Sequence, residues 1–317
     1  MRRAAALVVI PLLAAAAVAG CGSSSSSKPT TPTVTSNDAV TATGSFGAAP
    51  KVTIPAKKAA ASLYTKTLIT GTGAKLTSAD TLEGNFVLYD WSGTTHKLLG
   101  STYGSGGPTL FAGQMLPGLE TALIGQKIGS RVIAVIPPKD AFGSSGNSQI
   151  GVKGTDTLVF VIDMVKLYSN TAGVPGKQTS DGGGSLPTVT TATGKSPVIS
   201  IPAANPPKTL QVDPLIKGTG AKVKSGQEIL VQYTGVIWRT KKVFDSSWSR
   251  SEPYTTEIGV GQVITGWDKG LVGQTVGSRV MLIVPPADGY GSTGQSSAGI
   301  KGTDTLVFVV DIIAAVG

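Results

Sequence analysis

Apolar and polar positions alternate with a period of two over much of the chain. Ile229, Val231 and Tyr233 interleave with Leu230, Gln232 and Thr234, the pattern of a half-buried strand. Val280 to Val284 and Leu306 to Ile313 are β-branched apolar runs, the first ended by Pro285-Pro286 and the second running on to the end of the chain. Such runs predict strands. Gly266 to Val272 is the one segment in that half that reads as a helix, and it is short. The segment thus reads mostly as strands with one short helix among them.

This arrangement occurs twice. Gly71-Thr72-Gly73-Ala74-Lys75 recurs as Gly218-Thr219-Gly220-Ala221-Lys222, and Gly129-Ser130-Arg131-Val132 as Gly277-Ser278-Arg279-Val280. Lys153 to Phe160 recurs unchanged at Lys301 to Phe308. Two copies of this size are tandem domains rather than a solenoid. The boundaries read as 62–168 and 209–317. Between and before them the chain is rich in Gly, Pro, Ser and Thr, with little to bury. Residues 21–61 therefore read as a flexible tether and 169–208 as a linker.

The first twenty residues differ from both. Arg2 and Arg3 precede an apolar stretch, Ala4 to Ala19, shorter than the roughly 20 residues that span a bilayer. Val18-Ala19-Gly20-Cys21 then resembles a bacterial lipoprotein signal, in which the Cys21 thiol would carry a diacylglyceryl group. The competing reading is a plain secretory signal with an incidental cysteine. As a lipoprotein the chain would be extracytoplasmic and anchored to a bacterial membrane through Cys21.

Composition narrows the chemistry. The chain has 317 residues, a net charge of +9 and only 14% charged residues. Its lysines and arginines are scattered, with no aromatic-basic patch of the kind that tracks phosphates, so nucleic acid is not an expected partner. One cysteine and one histidine, His96, exclude an intrachain disulfide, a Cys–His pair and a zinc site. No cofactor or metal is expected. What stands out instead is the stretch from Tyr233 to Trp267, where aromatic residues recur at strand edges around a single carboxylate, Asp245. Such a set suits an uncharged, apolar, partly rigid group and needs no nucleophile.

Tyr233-Thr234-Gly235, Phe244-Asp245-Ser246-Ser247, Val263-Ile264-x-Gly266-Trp267, Tyr290-Gly291 and Thr305 to Phe308 stand in the order and approximate spacing of FKBP-type peptidyl-prolyl cis-trans isomerases. The resemblance covers roughly Leu210 to Ile313. It implies two tandem FKBP-like α+β domains, each an antiparallel β-sheet wrapped around one short helix, and, for the second, Trp267 as the floor beneath a proline ring, with Tyr233, Phe244 and Phe308 as walls. It also implies Val263 and Ile264 along one side with the Ile264 N–H open to a substrate carbonyl. Tyr290 would donate from the rim, Asp245 would orient groups near the amide and pair with Arg250, and Tyr254 and Ile300 would close the edges. The pattern departs from the family at Arg239 to Lys242, which lack the usual Asp-Gly, at Tyr254 and Gln295, and in the length of the loop before Ile300. Those changes bear on peptide preference and drug affinity.

The first copy keeps the scaffold and loses the pocket. Tyr233 aligns with Phe86, Trp267 with Leu119, Tyr290 with Phe142 and Phe308 with Phe160, and Phe244-Asp245 falls near Leu99-Gly100. Weak or absent isomerase activity is expected there. The resemblance implies a prolyl isomerase, with a macrolide-type inhibitor as a further ligand, and the lipoprotein-like signal adds that its substrates would be proline-containing segments of exported proteins. A non-catalytic peptide-binding module or chaperone is the alternative, and a surface adhesion or structural protein fits only the first copy.

Overall fold

The computed structural model describes residues 36–317 apart from 105, 114 and 191–194. The segment 1–20 and Cys21 lie outside the described residues. Two six-stranded antiparallel sheets dominate. The first is built from β3 (Tyr64–Ile69), β4 (Thr81–Ser92), β5 (Thr95–Ser101), β6 (Thr109–Phe111), β7 (Arg131–Ile136) and β8 (Thr157–Tyr168), with helix α1 (Pro117–Leu123) between β6 and β7. Its order is β3-β7-β8-β4-β5, and β6 also pairs with β4. A hairpin precedes each domain: β1 (Thr41–Thr43) and β2 (Lys51–Thr53) for the first, β9 (Thr188–Thr190) and β10 (Val198–Ser200) for the second. The second sheet repeats the first with β11 (Gln211–Ile216), β12 (Glu228–Ile237), β13 (Lys242–Ser246), β14 (Tyr254–Glu257), β15 (Arg279–Val284) and β16 (Leu306–Val316). Its order is β11-β15-β16-β12-β13, with β14 on β12. A one-turn helix α2 (Ser247–Arg250) follows β13, and helix α3 (Thr265–Leu271) lies between β14 and β15.

The helix expected over Gly266 to Val272 is α3, one residue earlier at each end. It is held close to β15 because Gly266 has no side chain: a Cβ there would lie 2.6 Å from Val284 Cγ1. Trp267 and Leu271 from α3 fill the inner face of the sheet with Ile229, Val231, Tyr233, Val280, Leu282, Phe308 and Val310. The first domain packs Leu119 and Leu123 of α1 in the same way.

The stretches expected to be a flexible tether and a flexible linker are folded where they are described. All six residues of β7 and of β15 are buried, so both faces of each sheet need a cover. The arm ahead of the first domain buries Val40 and Ile54 against Val87, Ile133, Val135, Val159 and Val161 on the outer face. The arm ahead of the second buries Val189 and Ile201 against Val236, Met281, Ile283, Val307 and Val309. The indole N–H of Trp91 donates to the Lys57 carbonyl at 2.9 Å, and that of Trp238 to the Ala204 carbonyl at 3.1 Å. The repeat therefore includes the arms, with Val52-Thr53-Ile54-Pro55-Ala56 matching Ile199-Ser200-Ile201-Pro202-Ala203. Low apolar content misleads here because an arm needs only a few buried residues when the sheet supplies the other half of the contact.

Beneath each arm lies an ion pair. Arg131 binds Asp163 through Nε and Nη2 at 2.6 and 2.7 Å, and both side chains are essentially inaccessible. The arm completes the set: Gly44 and Ala48 carbonyls accept from Arg131, and the Gly47 N–H donates to Asp163 at 2.7 Å. Arg279 and Asp311 repeat the pair at 2.6 and 2.7 Å, with the Val174 N–H on Asp311. Removing one partner strands a buried charge, which costs about 3–5 kcal/mol. Arg131→Met is thus expected to destabilise the first domain by about that amount in urea unfolding followed by Trp91 fluorescence. An unchanged midpoint would mean that Asp163 finds another partner.

Candidate active site

The site lies on the inner face of the second sheet, where β12, β13 and β16 run beside the first turn of α3. Tyr233 on β12 pairs with Val310, and the next inward position, Gly235, stands between Phe308 on β16 and Asp245 on β13. A Cβ at Gly235 would lie 2.7 Å from Phe244 and 3.0 Å from Phe308, so the glycine is the space these two rings occupy. Tyr233, Trp267 and Phe308 are nearly inaccessible, whereas Phe244 is half-buried. Their rings form an edge-to-face set: Tyr233–Trp267 at 5.2 Å, Trp267–Phe308 at 5.4 Å and Phe244–Phe308 at 5.6 Å between centroids. Tyr254 on β14 closes one side, 6.0 Å from Tyr233 and 6.3 Å from Trp267. Val263, Ile264 and the buried Ile300 pack on the same cluster. Tyr290 stands at the rim, about one-third exposed.

One carboxylate enters this apolar set. Asp245 accepts hydrogen bonds from the Tyr233 hydroxyl and from Arg250 Nη1. Arg250 Nη2 also reaches the Tyr233 oxygen at 3.1 Å. The guanidinium comes from α2, which turns back through a left-handed Ser251 so that Arg250 faces β13. Two further donors have no acceptor among the described residues: the buried Trp267 indole N–H and the Ile264 N–H ahead of α3. A bound carbonyl could satisfy such a donor and recover its desolvation cost.

Burial, followed by the hydrogen bond to Asp245, pushes the Tyr233 phenol well above the ordinary tyrosine value. Burial also raises Tyr290, with smaller contributions from Asp245 and Tyr254. Both phenols stay neutral donors through the physiological range.

All eleven residues named from the sequence belong to this one region. Sequence reasoning missed the groups that hold them. Ser247 Oγ accepts from the Tyr233 N–H at 2.8 Å and donates to Gln232, whose amide in turn donates to the Asn170 carbonyl at 2.7 Å. Asp268, in the first turn of α3, accepts from the N–H groups of Gly259 and Gly261 at 2.7 and 2.8 Å and fixes the turn leading to Val263. An acidic residue in a first helical turn was the available signal for the latter. His96, set aside from the sequence, is exposed on β5, 6.1 Å from the Tyr89 ring.

The first domain occupies the same geometry with different chemistry. Leu88 takes the place of Gly235, between Phe160 and Gly100, so Gly100 stands where Asp245 stands. Phe86 packs 5.9 Å from Phe160 and 5.8 Å from Phe111, a ring whose register position in the second domain is Thr256. Thr102 Oγ1 still accepts from the Phe86 N–H at 2.9 Å, as Ser247 does from Tyr233.

The model of the FKBP-type peptidyl-prolyl cis-trans isomerase family matches residues 78–165 and 219–313, together more than half of the chain. The chain belongs to that family. An FK506-binding protein of Streptomyces anulatus is 38% identical over 120 residues, which is 38% of this chain and 97% of that protein. A probable FK506-binding protein of Corynebacterium glutamicum is 38% identical over 121 residues, 38% of this chain and 99% of that one. The peptidyl-prolyl cis-trans isomerase FKBP9 of Rattus norvegicus is 29% identical over 203 residues, 63% of this chain and 29% of its own length.

The raised Tyr233 value carries a sign. A phenol whose folded-state pKa is raised contributes stability that is fully present below its unfolded value, about 10, and is lost as pH rises through the folded value. Thermal melts from pH 8 to 11 should therefore show a fall in Tm above about pH 10 that is smaller in Tyr233→Phe. Identical alkaline profiles would show that the Tyr233 proton is not linked to folding.

Proposed function

We propose that the second domain is an active peptidyl-prolyl cis-trans isomerase and that the first is not. The observation that carries this reading is the paired comparison of the two pockets. One keeps the Tyr233–Asp245–Arg250 set over Trp267, and the other replaces Tyr233, Gly235, Asp245 and Trp267 with Phe86, Leu88, Gly100 and Leu119.

Rotation about a prolyl peptide bond meets a resonance barrier of about 18–20 kcal/mol, with no bond to break and no external proton source needed. The planar amide carries more charge separation than the twisted one. A water-poor aromatic pocket therefore disfavours the ground state relative to the transition state, which is the condition for catalysis. Trp267 would lie beneath the proline ring, with Tyr233, Phe244 and Phe308 around it. The Ile264 N–H and the Tyr290 hydroxyl would hold substrate carbonyls. Asp245, its charge balanced by Arg250, would orient groups near the twisting amide without filling the pocket with solvent.

The clients we infer are proline-containing segments of exported proteins, for which slow isomerisation limits folding. This follows from the reading of residues 1–20 as a lipoprotein signal and Cys21 as the lipid-bearing residue, which would anchor the protein on the extracytoplasmic side of a bacterial membrane. No helix among the described residues is long and apolar enough to cross a membrane. The relatives' names mention FK506, and a macrolide-type ligand would fit the same aromatic pocket.

In a prolyl-peptide assay on the full chain, Asp245→Ala and Trp267→Leu should each lower kcat/KM by about tenfold or more, or about 1.4 kcal/mol of transition-state stabilisation per factor of ten. The double variant isolates the first domain, and its rate should approach the uncatalysed one. Residual catalysis near the parent level would place the activity in the first domain. An inactive but folded parent would make the protein a peptide-binding module. Export is checked separately: Cys21→Ser should move the protein from the detergent phase to the aqueous phase in fractionated cells.

A further inference from the structure

The outer face of the second sheet has two covers. Its own arm buries one part, and the first domain buries the other. Leu230, Ala314 and Val316 form a cluster with Leu110 and Tyr168 of the first domain. At the matching register positions the first domain has Glu83, Lys166 and Tyr168. There the Tyr168 hydroxyl donates to Glu83 at 2.6 Å, and the Lys166 ammonium lies 4.6 Å from the Tyr168 ring centroid. The same patch is therefore polar in the first copy, where Glu83 and Lys166 partner Tyr168, and apolar in the second, and Tyr168 itself packs across the seam.

A polar contact fixes the register of the seam. Glu228, the first residue of β12, accepts hydrogen bonds from Thr109 Oγ1 and from the Leu110 N–H, both at 3.1 Å. These donors belong to β6 of the first domain. The chain then runs on to Gly113, where a Cβ would lie 3.3 Å from the Glu252 carboxylate. Glu252 sits between Arg250, which pairs with Asp245, and Tyr254, which closes the pocket. The segment 109–113 thus spans from the start of β12 to the loop that carries both rim residues. β14, which bears Tyr254, is only four residues long and is paired to β12 over Glu228–Val231.

We propose that the first domain is a positioning partner of the second pocket: its β6 segment braces β12 and the 250–254 rim, and thereby sets affinity for the peptide rather than the rate of bond rotation. The catalytic part of this claim rests on the reading of the second domain as an isomerase. Loss of the pocket in the first copy and retention of its fold are then two sides of one role. Leu110 and Glu228 are positioning residues, and neither touches the aromatic pocket.

The test uses the full chain with Leu110→Asp, which puts a charge into the apolar cluster, and Glu228→Gln, which keeps shape and removes the charge. Amide hydrogen exchange reports on residues 251–257, and the prolyl-peptide assay separates KM from kcat. Leu110→Asp is expected to speed exchange over 251–257 and to raise KM roughly fivefold with kcat kept, the low end of coupling between distinct sites. Glu228→Gln should move both in the same direction by less. Unchanged exchange at 251–257 together with an unchanged KM overturns the proposal, whether Leu110→Asp leaves the first domain folded or unfolds it. If the parent chain shows no catalysis, the isomerase reading fails, and the exchange result alone decides whether the seam braces the rim.

Discussion

A sheet that is apolar on both faces cannot present either to water, and most of this structure answers that constraint. The inner face of each sheet is covered by one short helix. The outer face is covered by an arm that comes before the domain in sequence, and in the second copy also by the neighbouring domain. The arms bring their own polar requirement. Each seals an Arg–Asp pair that would be costly if either partner were left alone, and in the first domain three backbone groups of the arm finish the solvation of that pair. The arm, the ion pair and the sheet thus stand or fall together.

The site uses the same economy of burial for chemistry. Rings that would otherwise be ordinary core pack into the space left by a glycine on β12, and a single carboxylate is introduced with its charge already matched by Arg250. Neither a nucleophile nor a metal is required for the family's reaction, since the barrier is resonance and the surroundings alone change it. In the first copy Leu88 takes the glycine's place and Phe111 adds a ring; Phe86, Leu88 and Phe111 stay partly buried, and apolar groups replace the hydroxyl, the carboxylate and the indole. The hydroxyl that holds the strand, Thr102, stays where Ser247 stands, which separates the residues that hold the frame from those that would act on a substrate.

Divergence between the copies is uneven in a way that burial explains. Lys153 to Phe160 and Lys301 to Phe308 are identical and form a turn and the start of a central strand. Asp156 and Asp304 each accept the N–H of the lysine that starts the turn, at 2.8 Å, so this motif is architectural. The pocket positions and the seam positions differ in opposite senses: the first copy lacks polar atoms at its pocket, and the second lacks them at its outer edge.

By itself the sequence determined the two domains, the strands over 229–234, 280–284 and 306–313, α3 and the residues around the second pocket. Period-two burial and short turn motifs are local properties, and the aromatic-plus-Asp245 pattern has few other uses. The folding of 36–61 and of the described part of 169–208 was decided only by tertiary structure, because Val40, Ile54, Val189 and Ile201 are too few to stand out until a sheet face lies against them. The roles of Ser247 and Gln232 were likewise hidden, since serine and glutamine near strands are common and only the fold brings them to the Tyr233 backbone. The seam is the clearest case. Leu230, Ala314 and Val316 read in sequence as ordinary strand residues, and only the fold of both copies shows that they face the neighbouring domain rather than their own core.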